Sequence, residues 1–398
     1  MNVLSPDTQS GSLLKDTNLY VIFGITLTAV MGVTTIAPAL PSISHAFDVT
    51  PARIGLLITF FTLPGIFLTP VLGLLADRYG RKVILVPSLF IFGIAGAACA
   101  FSISFNQLLF FRVLQGFGSA ALGALNLTLI GDLYTGNRRA SAMGYNASVL
   151  SIGTAVYPAI GGALAIAGWF YPFFLSLLAI PVGLLVLYLL DPMADSDDTK
   201  MREIFGKVLT SLKSVKVLAL FAGIFLTFIM LYGGYITFFT ILLDEKFGLS
   251  PFYIGILLSS SSLITSYTAA KLGKLTLRFS EVKLIRTASF LYLFVFLAIP
   301  QVDNVWWFLL PVSVFGLAQG INIPSILNLL TGEATQEHRA AFLSVNWMVM
   351  RVAQALGPYL LGLIYLGFSL QGTFYFSALA AAVFVLVNFS VLKESSRN

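Results

Sequence analysis

Arg112 and Arg351 carry the first chemical signal in this chain, because each stands well inside a long apolar run. A guanidinium stays ionised in proteins and costs at least a few kcal/mol to hold in hydrocarbon, so each must face protein, water or a ligand. Arg112 opens a polar stripe on its helix, with Gln115 three residues on and Ser119 and Asn126 following at seven-residue steps. That stripe either faces a central cavity or, since Arg112 lies only about 8 Å inside, lets the arginine snorkel to the outer surface. Arg351 lies deeper, roughly 15 Å along its helix and near the bilayer centre. It shares a face with Trp347 and Gln354. The indole can hold the guanidinium by a cation–π contact. Arg351 then either reads a ligand or bridges to a carbonyl or another helix.

Further polar residues inside apolar runs extend the candidate cavity lining to Tyr232, Tyr235, Gln319 and Asn322, for which interhelical hydrogen bonds are an equal explanation. Several chemistries are not supported. All 17 Asp and Glu residues fall in loops, tails or run ends. His45 and His338 are loop residues without a cluster, so neither a metal site nor a membrane proton relay is indicated, and no cofactor is expected. No Gly-x4-Gly-Lys-Ser/Thr loop is present for nucleotide hydrolysis. Cys99 is the only cysteine, which excludes an intrachain disulfide. The net charge of +6 comes without a basic stripe interleaved with aromatics, so nucleic acid is not an expected partner.

The elements that position these residues are read from composition. The chain is 58% hydrophobic and 10% charged, against about 25% charge in soluble domains. About 20 apolar residues cross a bilayer core. Twelve such stretches occur, at 19–40, 54–76, 83–103, 107–130, 141–165, 170–190, 217–241, 252–272, 284–300, 305–330, 341–366 and 372–392. Pro38, Pro64, Pro158, Pro181 and Pro358 interrupt them, as packed membrane helices tolerate. Of 23 Lys and Arg residues, nineteen fall on the side of the N-terminus, against Arg53 and Lys246 on the other; Arg112 and Arg351 lie within spans. That bias predicts both termini cytoplasmic. Residues 1–18 read as a cytoplasmic tail and 191–216 as a cytoplasmic linker, a solvated tether or a short surface helix over EIFGKVLTSLK.

The two flanking regions repeat at an offset of 200. Pro51, Ile54 and Gly55 return as Pro251, Ile254 and Gly255, RASAMGYN (139–146) returns as RAAFLSVN (339–346), and Pro158 and Gly162 return as Pro358 and Gly362. The predicted architecture is therefore an all-α integral membrane protein, with 12 transmembrane helices in two pseudo-symmetric six-helix halves, 1–190 and 217–398. Repeats of this kind place a substrate site between the halves, near the midplane.

Between the second and third spans the chain reads Gly73-Leu-Leu-Ala-Asp77-Arg78-Tyr79-Gly80-Arg81-Lys82. Gly73 permits close helix approach, Asp77 can cap a helix or pair with an arginine, Gly80 allows a tight turn, and Arg81 and Lys82 hold the loop at the lipid surface. Taken bare, it is a basic turn that sets topology; in full it resembles the inner-loop signature of the major facilitator superfamily. The second copy is degraded, keeping Gly273 and Arg278 but placing Leu277, Ser280 and Glu281 where Asp77, Gly80 and Arg81 would stand. Leu108-x3-Arg112-x2-Gln115-Gly116 resembles the family's second signature, whose arginine faces the central cavity. Gly144, then Gly153, Pro158, Gly161 and Gly162, is similar to the signature of antiporters and exporters, with Tyr157 where glycine is usual. Read alone, those small residues are helix packing neutral about direction.

The resemblance is closest to bacterial drug-efflux members. It implies a latch at residues 73–82 that holds the outward-open state, and alternating access by a monomer in the cytoplasmic (plasma or inner) membrane. It further implies export of a small amphipathic compound by proton antiport. Such relatives often carry an acidic residue in the first span, where this chain reads GITLTAVMGVTTIAPAL. The coupling carboxylate expected instead is Asp132, just past the polar stripe. The alternative is transport of an anionic or lipid-like substrate without protons, through Arg112 and Arg351; a non-transporting sensor or scaffold is a third reading.

Overall fold

The computed structural model describes residues 13–190, 214–333 and 339–392. Most of the expected linker 191–216, with Lys200, Arg202, Lys207 and Lys213, lies outside them, as do His338, Lys393 and Arg397. Among the described residues there is no strand. The helices are α1 Thr17–Phe47, α2 Pro51–Tyr79, α3 Arg81–Cys99, α4 Phe105–Leu133, α5 Gly136–Ala167, α6 Tyr171–Leu189, α7 Val215–Phe247, α8 Pro251–Thr276, α9 Glu281–Gln301, α10 Val305–Glu333 and α11 Arg339–Val391.

Among the described residues, ten helices are long and apolar enough to cross a membrane. α8 has the length, at 26 residues, but Ser259–Ser262, Thr265 and Ser266 dilute its apolarity. α11 runs 53 residues and is broken at Ser369, whose φ of 68° and ψ of 179° are not helical. Several helices overrun the apolar stretches by about a turn, as α4 and α5 do at Asp132 and Arg138. Hydrophobicity marks the bilayer, whereas a helix continues until its caps.

Local chemistry sets the starts. Asp16 accepts from the Asn18 amide at 3.0 Å, and Ser104 and Ser280 accept from the amides three residues on. Pro51 and Pro251 occupy first-turn positions of α2 and α8, where a missing N–H costs nothing. Two helices change winding. α1 passes through a 3-10 turn at Ala37–Ala39 around Pro38, and α7 holds a wide π turn at Met230–Phe238.

The surface inverts that of a soluble protein. Phe67, Phe101, Trp306 and Leu386 are each about 70% exposed, while Arg112 is fully buried. One end of the bundle gathers the charged helix ends. Tyr134 donates to Asp16 at 2.9 Å, Lys82 to the Leu190 carbonyl at 2.9 Å, Lys216 to Glu333 at 2.5 Å and Arg286 to the Leu392 carbonyl at 2.7 Å. We call this the terminal end, because both described termini lie there.

Across the middle, α5 packs along α8 and α2 along α11. The repeat residues make this seam. A β-carbon on Gly55 would lie 3.1 Å from Pro358 Cβ, and one on Gly362 would lie 2.7 Å from the Ala52 carbonyl oxygen. Reciprocally, Gly255 abuts the Pro158 carbonyl and Gly162 the Pro251 carbonyl. Each glycine accepts the backbone of the other half, 200 positions from its twin.

Candidate functional site

The seam seals the far end only. Thr59 donates across it to the Ala355 carbonyl at 2.7 Å, the Ala159 amide donates to Ser259 at 3.1 Å, and His45 meets Asp244 at 2.7 Å. Toward the terminal end the packing opens. Gly73, Gly144, Gly273 and Gly332 have nothing within 4 Å of where a β-carbon would stand. Gly73 was expected to bring helices together; here it faces open space, because α2 and α11 diverge below the seam.

A cavity of about 160 Å³ fills that divergence. It has room for a small aromatic body. α2 contributes Gly65, Ile66, Thr69, Pro70, Gly73, Leu74 and Asp77, α4 contributes Ala124, Leu125 and Thr128, and α11 contributes Val345, Trp347, Met348 and Arg351. Steps of three and four along α2 and α11 turn one face of each inward. Among the described residues the wall is apolar apart from Asp77, Arg351 and two threonines, whose hydroxyls are committed to the Ala120 and Leu125 carbonyls at 2.9 Å.

Arg351 crosses from α11 to the other half. A β-carbon on Gly65 would lie 3.4 Å from its Cδ, and one on Gly123 would lie 3.8 Å from Nη2. Its bond to Gln354 is long, at 3.4 Å. The expected cation–π contact with Trp347 is not made, although both residues line the cavity. Tyr232 is an electrostatic neighbour of Arg351 and stacks on Phe228.

Arg112 is placed differently from both sequence readings, neither on this cavity nor snorkelled to the surface. It is 0% exposed and donates to the Leu57 carbonyl (3.1 Å), the Gly32 carbonyl (3.0 Å) and Gln115 (2.7 Å), with its guanidinium 4.2 Å from the Phe61 ring centroid. Gln115 passes the network on to Ser176 at 2.9 Å. These contacts tie α1, α2, α4 and α6 together and offset much of the cost of burying the charge. Ser119 bonds the Gly116 carbonyl at 3.2 Å, and Asn126 donates to Thr26, which reaches Asn146 at 2.5 Å. The stripe thus packs inside the first half, because a bundle interior excludes lipid as well as a cavity does. Phe61, Thr26 and Asn146 escape sequence reading, since partners on other helices leave no spacing signal.

The second half mirrors this. Asn322 donates to Thr227 at 2.8 Å, joining α10 to α7, and Gln319 lies buried one turn earlier. The π turn separates the two tyrosines that share a face in an ordinary helix. Tyr235 stacks on Phe315 at 4.0 Å inside the second half, away from Tyr232. Among the expected lining residues, Trp347 and Arg351 form the cavity wall, Gln354 sits beside Arg351, and Gln319, Asn322 and Tyr235 belong to helix packing.

At the terminal end Asp77 pairs with Arg81, and Arg81 Nε also donates to Asp132 at 3.1 Å. One guanidinium therefore serves carboxylates from α2 and α4. Arg81 and Lys82, expected at the lipid surface, turn inward, Lys82 onto the Leu190 carbonyl. Arg78 lies over the Tyr79 ring at 5.4 Å. Gly80 has φ of 95°, a conformation that only glycine takes readily, so the turn requires it. Asp77 lines the cavity, whereas Asp132 has a 37% exposed side chain outside its wall. On α5, Gly153 packs on Leu27, Gly161 on the α1 backbone and Gly162 on α8, with the Pro158 carbonyl receiving Gly255.

A lipid-facing bundle of two halves that meet around a cavity, sealed at one end and open at the other, defines a polytopic membrane transporter. A sequence profile described as Major Facilitator Superfamily matches residues 22–358 and 232–398, and the chain belongs to that family. It is a multi-pass protein of the plasma membrane. It is 29% identical over 376 residues to the bacillibactin exporter of Bacillus subtilis, covering 86% of this chain and 88% of that one. Multidrug resistance protein 1 of the same bacterium is 25% identical over 371 residues, 92% of each chain. In fold, a bacterial homologue of the human lysosomal transporter Spinster, solved inward-facing and occupied, matches with a TM-score of 0.79 at 18% identity over 96% of this chain and 97% of that one.

Proposed function

We propose that the protein exports a small amphipathic compound by alternating access and is described here open to the cytoplasm. The observation that carries this is the asymmetry of the seam: close glycine–carbonyl contacts toward the far end and a cavity between α2, α4 and α11 toward the terminal end. The apolar cavity wall supports an amphipathic cargo, and the exporters among the relatives support the direction. We read twelve crossings, counting α8 as a span and dividing α11 at Ser369, in halves 1–190 and 217–398 joined by 191–216. The sequence bias of nineteen basic residues on the N-terminal side against two on the other supports cytoplasmic termini. Cysteines at Lys216 and Asn304, in a Cys99→Ala background, should label from opposite sides of intact cells; labelling of both from outside overturns the orientation.

The unit is a monomer, with the 73–82 segment as its latch. Exchange against protons runs through Asp132, which shares Arg81 with Asp77, so protonating one carboxylate strengthens the hold of the other. Purified protein in liposomes tests this with a fluorescent amphipathic dye and an imposed pH gradient. The gradient should drive uphill dye transport, and Asp132→Asn should abolish the response while leaving downhill flux. Uphill transport that survives Asp132→Asn removes that residue from coupling.

A further inference from the structure

We infer that the cavity between α2, α4 and α11 selects amphipathic organic anions, with Arg351 as the group that reads the charge. This names the cargo class of the exporter just proposed and rests on that reading.

Two charged side chains among the described residues line the cavity, and they are not equivalent. Asp77 is ion-paired with Arg81, which it shares with Asp132. Among the described residues Arg351 has no carboxylate within ion-pair distance, and its bond is the 3.4 Å contact to Gln354. The cavity wall therefore carries, among the described residues, one positive charge without an ion-pair partner. The other membrane-embedded arginine shows what a structural guanidinium looks like in this protein. Arg112 is closed off by two carbonyls, an amide oxygen and an aromatic face. Arg351 has almost none of that and stands half-buried on the cavity wall.

Its surroundings are shaped for a ligand. Glycines at 65 and 123 leave the guanidinium room on the α2 and α4 sides. Its planar fork of donors suits a carboxylate or phenolate, bound through two parallel hydrogen bonds. One turn away, Trp347 offers a flat indole, and Ile66, Leu74 and Met348 offer aliphatic wall for a ring or short alkyl body. An anionic cargo also adds a second driving force to the proton exchange. A potential negative inside favours exit of negative charge, so the electrical gradient itself drives the cargo outward.

The test compares three probes of one shape on the purified full chain in a neutral maltoside detergent: 2-naphthoate, 2-naphthamide and 2-naphthylmethylammonium, by equilibrium dialysis. One charge-assisted contact predicts naphthoate binding about tenfold or more tighter than the amide. Arg351→Gln should bring naphthoate to the level of the amide while the amide stays within about twofold, which also shows that the variant is folded. Arg351→Lys should retain part of the preference. Wild-type protein that binds the amide or the ammonium as tightly as naphthoate, or does not bind naphthoate, overturns the proposal even if Arg351→Gln fails to fold. Preference surviving Arg351→Gln overturns the role of Arg351. Naphthoate binding without vesicle flux would instead count against the exporter reading and leave the anion site standing.

Discussion

Two arginines look alike in the sequence and are opposite in the structure. Arg112 donates through Nε and Nη1 to carbonyls from α1 and α2 and to Gln115, leaving only Nη2 unpaired, whereas Arg351 is nearly bare at a cavity. Arg112→Lys should therefore destabilise the protein, because three donors on a flexible stem cannot reproduce the fork; a loss of roughly 3 kcal/mol follows from two or more charged hydrogen bonds. Arg351→Gln should leave stability unchanged. Thermal unfolding followed by size-exclusion chromatography separates the two, and an Arg112→Lys variant melting like wild type would refute the structural role. The need for both arginines to avoid lipid was legible from their depth in apolar runs. Which non-lipid environment each enters was not, since that depends on Leu57, Gly32, Phe61, Gly65 and Gly123 on other helices. At the turn, Asp77→Asn should impair transport without loss of membrane insertion, because it frees Arg81 toward Asp132 alone. Wild-type flux in that variant would reduce the motif to a topology signal.

At the scale of helices, apolar runs located most spans, and the 200-residue offset located the glycines and prolines that later proved to meet. Changes of winding left no such trace. The wide turn at Met230–Phe238 is built from residues any apolar helix could use, and it reassigns Tyr235 from the cavity to the core. A π turn is an α-helix carrying one residue more than the register needs. Removing Leu231 should let the segment rewind as ordinary helix and keep both flanks on their faces. Removing Ile224 from the regular part of α7 should rotate one flank by about 100° and abolish folding. The yield of monodisperse protein reads the difference, and equal yields would show that the turn stores no spare residue. The break at Ser369 was legible only as a gap between the apolar runs 341–366 and 372–392, because its positive φ is set by the backbone path and not by a glycine or proline at that position.

For the whole molecule, the far end must part for cargo to leave. The pair His45–Asp244 joins the two halves there. Cysteines at both positions in a Cys99→Ala background, bridged by a short bis-maleimide, should stop transport while binding of 2-naphthoate from the terminal end persists. Undiminished flux after complete bridging would contradict an opening at this end. Carriage of a monoanion also predicts an electrical signature: about 2.3 kcal/mol of driving force per 100 mV, negative inside. A potassium–valinomycin potential should accelerate naphthoate efflux from liposomes, and reversing its sign should slow it.

The seam has a further consequence, for how such a chain can change over generations. Gly55 and Gly362 rest on the second and first halves respectively, as Gly255 and Gly162 do in reverse. A substitution at one of these sites is thus judged by a backbone encoded about 90 codons away at Gly162 and Gly255 and about 300 away at Gly55 and Gly362, and neither half is free to drift alone. Recombination with a relative at 25–29% identity inherits that restriction. A chimera that takes a whole half from such a relative must match four close approaches at once. Exchanging only 51–55 together with 358–362 carries both sides of one junction and should breed true.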